Sequence, residues 1–196
     1  MNEPDQSAAD ADPLQGQEDQ PPSSTIGQSK AKPSGLVVEL FDSTRLVSES
    51  SQSEIINLAM RALSAFPNQG EIRVRVVDDI QMSADHEQFS GITGTTDVLT
   101  FDLSEPTDDF QSKVLDIDLT ICFDEAQRQS TQLNHRIEHE LLLYIIHGTL
   151  HCLGYNDHDQ DEYQRMHEKE DSLLSTLGLP PTFFASHDSP SEGAQS

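Results

Sequence analysis

The sequence predicts an α+β fold: a small mixed sheet of about four strands packed on a buried central helix. Three features carry that reading. Short strand-like stretches with apolar residues in alternation punctuate the middle of the chain. Residues 141–146 (LLLYII) are apolar on every side of a helix, so that helix belongs inside the molecule. Helical periodicity then dominates up to Gly178 and Pro180, which end it.

The elements follow in order. Residues 36–41 (LVVELF) read as a strand. From Ser53, a candidate N-cap, Ile55, Ile56, Ala59, Leu63 and Phe66 recur at helical spacing. Gly70 opens a half-buried strand over 71–77 (EIRVRVV), with Ile72, Val74 and Val76 on one face and Arg73 and Arg75 on the other. A short polar helix or turn over about 81–89 precedes a short strand at 97–101 (DVLTF) and a polar loop at 103–112. Residues 114–123 (VLDIDLTICF) form a longer strand with Leu115, Ile117, Leu119, Ile121 and Phe123 on one face. Beyond Asp124 the chain turns helical, and Asn134 or a neighbour caps a long helix through His151. A last helix over about 161–177 turns Tyr163, Met166, Leu173, Leu174 and Leu177 inward.

This domain spans residues 35–180. Residues 1–34 are rich in Pro, Gln, Ser, Asp and Ala, too polar to offset their ordering entropy, and are expected to form a disordered acidic tail. Residues 181–196 are expected to be a second flexible tail. Only 34% of the 196 residues are hydrophobic and tryptophan is absent, in keeping with polypeptide outside the core. The net charge of −24, from 35 acidic and 11 basic residues, disfavours casual contact with nucleic acid or anionic membrane. A nucleic-acid partner would need a local basic surface or a metal ion. No secretory pattern opens the chain, the longest apolar run is too short for a bilayer, and Cys122 and Cys152 are too few for a disulfide framework. A soluble, reduced, cytoplasmic protein with no membrane partner is the expectation.

The chemistry concentrates in residues 147–158 (HGTLHCLGYNDH). His147 and His151 stand at i and i+4, so both imidazoles leave one face of the helix, one turn apart. Gly154 is placed to turn the chain back through positive φ, and Asp157 or His158 then supplies a third ligand. Two helical ligands, a glycine turn and a third ligand make a zincin-like helix–turn site. It leaves a fourth position for the metal-bound water that does the chemistry. One Zn²⁺ per chain is the expected cofactor, and no side-chain base is assigned. A zincin protease carries Glu directly after the first His; here that position is Gly148, which argues against a metalloprotease.

The same segment resembles the signature of the YbeY family of metal-dependent endoribonucleases, HGxLHLxGYDH. Glu140-Leu141 before it, the 96–101 strand, the 118–122 strand and Glu168 on the last helix fall in family-like order, and the resemblance covers about residues 36–179. It implies an α+β fold, a single zinc, and cleavage of single-stranded RNA. It also implies a role with the small ribosomal subunit in ribosomal RNA 3′-end maturation and ribosome quality control. The first two ligands map onto His147 and His151. The family's third His falls at Asp157, a carboxylate that zinc accepts; His158, one residue on, is the alternative. A family Arg before the 97–101 strand is replaced by Ser90, leaving Arg73 and Arg75 as candidate phosphate contacts beside their plainer reading as a solvated strand face. The rival function is a ribosome-associated assembly factor with a structural zinc and little catalysis.

Other candidates carry plainer expectations. Asp116 and Asp118 are exposed strand acids. His135 and His139 sit near the polar start of their helix, where solvent exposure satisfies them. Arg136 and Glu140 form an i,i+4 ion pair, Cys152 fills the core, and Tyr155 packs the turn.

Overall fold

The computed structural model describes residues 35–182. The acidic tail expected over 1–34 lies outside the described residues, as does the C-terminal tail beyond residue 182. The elements are β1 (Leu36–Asp42), α1 (Glu49–Leu63), β2 (Gln69–Val77), α2 (Asp79–Ser90), β3 (Val98–Asp102), β4 (Val114–Cys122), α3 (Phe123–Gln132), α4 (Ile137–Cys152) and α5 (Gln160–Thr176). The sheet has four strands in the order β1-β2-β4-β3. β1, β2 and β4 run parallel, and β3 pairs antiparallel with β4, so the sheet is mixed as the sequence predicts.

Strand alternation divides the two faces of this sheet. Val38, Leu40, Ile72, Val74, Val76, Leu115, Ile117, Leu119 and Ile121 point into one core with α1, α4 and α5. α4 is that core's centre: Leu141, Leu142, Ile145, Ile146 and Leu150 are fully buried. Burial of each such side chain contributes roughly 1.5–3 kcal/mol. The opposite face carries a smaller cluster of Val77, Met82, Leu99 and Cys122, with Phe101 against it.

Several boundaries differ from expectation for local reasons. Ser48, not Ser53, caps α1, its hydroxyl accepting from Ser51 N at 3.1 Å. α2 is a full helix of 12 residues, because Asp78 caps its start and Gly91 ends it at φ 70°. The single long helix expected after Asp124 is two helices. Asn134, read as an N-cap, instead adopts φ 53° after α3, with His135 N donating to Ser130 O at 3.0 Å. That is a helix C-terminal motif with Asn in the left-handed position, and α4 starts afresh at Arg136 without a side-chain cap. No helix among the described residues is long and apolar enough to cross a membrane.

Two glycines permit close approaches that place α4 and β2. A Cβ on Gly70 (φ 132°) would lie 2.0 Å from Leu115 O. A Cβ on Gly148 would lie 2.8 Å from both Leu119 Cδ2 and Thr100 Oγ1. Gly148 therefore faces the sheet, and the missing side chain lets α4 lie directly on β3 and β4.

Candidate metal centre

The last turn of α4 ends on Gly154 at φ 88°. Gly154 N donates to His151 O and Tyr155 N to Leu150 O, both at 3.1 Å, the paired bonds of a Schellman ending. The turn is held from below. The Phe110 ring packs on Gly154, and the buried Lys113 ammonium bonds both the Asp102 carboxylate and, at 2.9 Å, Cys152 O. The Asn68 amide in turn bonds the carbonyls of Phe110 and Lys113 at 2.8 and 2.9 Å. The fold thus fixes where the chain goes after His151, and it brings Asp157 back to the histidines.

His147 Nε2 and His151 Nε2 stand 3.1 Å apart, and Asp157 Oδ2 lies 4.0 Å from His151 Nε2. One ligand atom from each of the three lies within 4.8 Å of the others. His158 is exposed in the following turn and outside this cluster. Each imidazole is oriented through its other nitrogen. His147 Nδ1 bonds Glu170 Oε1 at 2.7 Å, and His151 Nδ1 bonds the Tyr155 carbonyl at 3.2 Å. With Nδ1–H donating in both neutral rings, the two Nε2 lone pairs face each other across 3.1 Å, a contact that a shared proton or a bound metal ion relieves. Two nitrogens about 2.0–2.1 Å from one tetrahedral ion lie about 3.3 Å apart. The two nitrogens and one carboxylate oxygen therefore fit a borderline divalent cation such as zinc. Among the described residues the cluster stops at three ligands.

Burial opposes charge on His147, but the Glu170 carboxylate outweighs it and raises the imidazole's pKa. Burial pushes against ionisation of Glu170, yet bonds from His147 and His167 hold its pKa below the ordinary range. Burial lowers His151, with His147 adding to the effect.

Glu170 is the residue that sequence reasoning missed. Glu168, named there, is exposed, and its Oε1 accepts from Gln164 Nε2 one turn earlier at 2.8 Å. Glu170 is 1% exposed and bridges His147 and His167, whose Nδ1 lies 2.6 Å from Oε2. The signal was present: Met166, Glu170, Leu173 and Leu174 form one helical stripe, and an acid inside an apolar stripe needs a partner.

The other candidates sort clearly. Arg73 and Arg75 point to the sheet face opposite α4, away from His147. Arg73 is bound by Asp116 at 2.5 Å and Asp118 at 2.6 Å, and Arg75 by Asp85 at 2.5 Å. They are engaged strand-face arginines, and the two aspartates are their partners. Ser90 is exposed at the end of α2. The Arg136–Glu140 pair does not form: Arg136 bonds both oxygens of Glu54 at 2.9 Å, and Glu140 is buried against His135 Nε2 at 2.6 Å. Nor is His139 satisfied by solvent. It is 6% exposed, its Nε2 has no hydrogen-bond partner, and burial lowers its pKa to about 4. Cys152 is a core residue whose thiol burial pushes up to about 12, and Tyr155 packs against the core as expected.

A cleft of about 560 Å³ opens beside His147 between α3, α4 and α5 and the segment before β3. Asp97, Glu125, Glu140 and Glu170 line it, with Tyr144, Tyr163 and His167, and no Lys or Arg does.

Similarity to known proteins extends over most of the described domain. Residues 40–178 match the family described as endoribonuclease YbeY. The endoribonuclease YbeY of Desulfitobacterium hafniense (strain Y51) is 32% identical over 123 residues, 60% of this chain and 78% of that protein. That of Macrococcus caseolyticus (strain JCSC5402) is 30% identical over 150 residues, 74% of this chain and 97% of that protein. A solution structure of TM1509 from Thermotoga maritima aligns with a TM-score of 0.44 at 18% identity, covering 81% of this chain and 99% of that one. With residues 40–178 matched and the M. caseolyticus protein spanned almost end to end, this chain belongs to the YbeY endoribonuclease family.

Proposed function

We propose that the protein is a zinc-dependent endoribonuclease that cleaves single-stranded RNA at the His147–His151–Asp157 cluster. In this reading it works in the cytoplasm with the small ribosomal subunit, in ribosomal RNA 3′-end maturation and ribosome quality control. Family membership carries the coarser part, an endoribonuclease of ribosomal RNA processing. One observation supports the metal: the two Nε2 atoms stand 3.1 Å apart on one side of α4, while each ring is held through its Nδ1, by Glu170 Oε1 and by the Tyr155 carbonyl.

The residues have separable roles. His147 and His151 present neutral nitrogens, Asp157 adds an anionic oxygen, and Glu170 and the Tyr155 carbonyl hold the two rings in place. Both Glu170 oxygens are engaged by imidazoles, so it holds a ring and is not placed to take a proton from water. A divalent ion in this site lowers the pKa of a coordinated water and offsets charge on a phosphate. On a chain of net charge −24, that local positive charge is also what lets a phosphodiester approach. Three protein ligands rather than four support the enzyme over the structural-zinc assembly factor.

The test is cleavage of single-stranded RNA, with casein alongside, by the purified protein with and without chelator and by a His147→Ala variant. Chelator-sensitive RNA cleavage lost in the variant is expected. RNA cleavage that survives both treatments, or a protein with no bound metal by elemental analysis, overturns the reading.

A further inference from the structure

Tyr163 is the member of the expected inner stripe of α5 that the core does not take. Met166, Leu173 and Leu174 are buried and Leu177 packs against the core, whereas Tyr163 is 38% exposed and belongs to neither hydrophobic cluster. Its ring lies instead on the wall of the cleft that also holds His147. The position is fixed. Tyr163 meets His167 edge to face, with ring centroids 4.2 Å apart, and Glu170 Oε2 pins His167 through Nδ1 at 2.6 Å. His167 in turn stands 6.2 Å from the ring of His147, at an interplanar angle of 27°. One edge-to-face contact uses at most one face of a ring, so an aromatic face of Tyr163 stays open beside a candidate metal ligand.

Charge decides what can lie on that face. The cleft carries Asp97, Glu125, Glu140 and Glu170 and no Lys or Arg. Such a wall repels a phosphodiester, whose place is then at a cation held by the His147 cluster. A nucleobase is uncharged, and its π-face stacks on tyrosine without a hydrogen-bonding partner. Leu133, 37% exposed, and Leu143 add apolar surface to the same cleft, whose volume of about 560 Å³ suits a small group. We propose that Tyr163, set by His167, is the platform on which one base of the single-stranded RNA stacks while the adjoining phosphate meets the metal ligands. The inference rests on the endoribonuclease reading and deepens it by naming a substrate-contacting residue and the contact it makes. Such a platform takes a base only when it is splayed out of a helix, which matches a single-strand substrate. It tolerates all four bases, because each has a π-face. It also supplies affinity that a net charge of −24 withholds.

The experiment uses the full-length, zinc-loaded protein and a labelled single-stranded RNA whose cleavage site is mapped first. Each nucleotide flanking that site is then replaced in turn by an abasic residue. At one position the abasic residue should lower kcat/KM about tenfold or more, while exchange among the four bases there should change it about threefold or less. Tyr163→Ala should lower kcat/KM on the intact RNA by a similar factor and add nothing on that abasic RNA, because both changes remove one contact. Tyr163→Phe should match the unaltered protein. The Tyr163→Ala factor should persist at high salt, since stacking releases no counterions. Anisotropy titration of the same RNAs with chelator-treated protein reads the coupling without turnover. Losses from Tyr163→Ala and the abasic residue that multiply overturn the platform, as does a Tyr163→Phe variant no better than Tyr163→Ala. Chelator-sensitive cleavage indifferent to every abasic position overturns the platform and leaves the nuclease standing. Absence of chelator-sensitive RNA cleavage overturns both. RNA cleavage spared by Tyr163→Ala, with binding of an oligolysine peptide lost, also overturns the inference and makes the cleft a seat for a basic segment.

Discussion

Glu170 accepts from His147 Nδ1 at 2.7 Å and from His167 Nδ1 at 2.6 Å, so one buried carboxylate on α5 sets the ring of a candidate metal ligand on α4. Glu170→Gln keeps the shape and removes the charge. Metal affinity is expected to fall about 10–100-fold, as read by competition with a coloured chelator. Unchanged affinity would reduce Glu170 to a packing role.

The third ligand is decided by a pair of neighbours. Asp157→Ala should weaken zinc binding by about tenfold or more, in line with losing one of three protein ligands. His158→Ala should change it by no more than about twofold, because His158 stays exposed outside the cluster. The reverse ranking in isothermal titration would reassign the ligand.

Gly148 is a packing requirement. A Cβ there meets Leu119 Cδ2 and Thr100 Oγ1 at 2.8 Å. Gly148→Ala gains about 1 kcal/mol in helix propensity, but overpacking costs about 1–3 kcal/mol. A net loss of up to about 2 kcal/mol is expected in urea unfolding. A stabilised variant would show that α4 can lift from the sheet freely.

Lys113 joins the loop before β4 to the end of α4 through Asp102 and Cys152 O. Lys113→Met keeps the apolar stem and abandons both acceptors. Unfolding free energy should drop by roughly 1–3 kcal/mol, and metal affinity should fall with it as the turn after His151 loosens. A loss of stability with metal affinity untouched would separate the clamp from the site.

His139 gives the molecule a pH dependence with a definite sign. Its folded pKa is lowered to about 4 from the ordinary 6.5, first by burial and then by neighbouring His135, with Asp171 opposing. Between those values the unfolded chain binds a proton that the folded chain refuses. Its contribution is therefore intact above about pH 6.5 and is lost as pH falls towards 4. The full loss is on the order of 3 kcal/mol. His139→Leu should flatten this part of the stability–pH profile in the chelator-treated protein. An equally steep profile would place the titration elsewhere.

The sequence by itself determined what depends on near neighbours along the chain. Alternation in β2 and β4 and the apolar run in α4 predict the elements and the mixed sheet. The i,i+4 spacing of His147 and His151 predicts one shared face, and Gly154 the turn. Boundary errors arose where two local solutions compete: a serine can cap at 48 or 53, and Asn134 serves a helix start or a helix end. Only the tertiary structure decided which distant groups meet. It replaced Glu168 with Glu170, gave Arg136 to Glu54, and turned Arg73 and Arg75 to the far side of the sheet. It also placed Asp157, not His158, beside the histidines, and gathered Asp97, Glu140 and Tyr144 around one cleft. The physical reason is that a buried polar group takes its partner from whichever element packs against it, and helical or strand periodicity says which face is buried without saying what covers it.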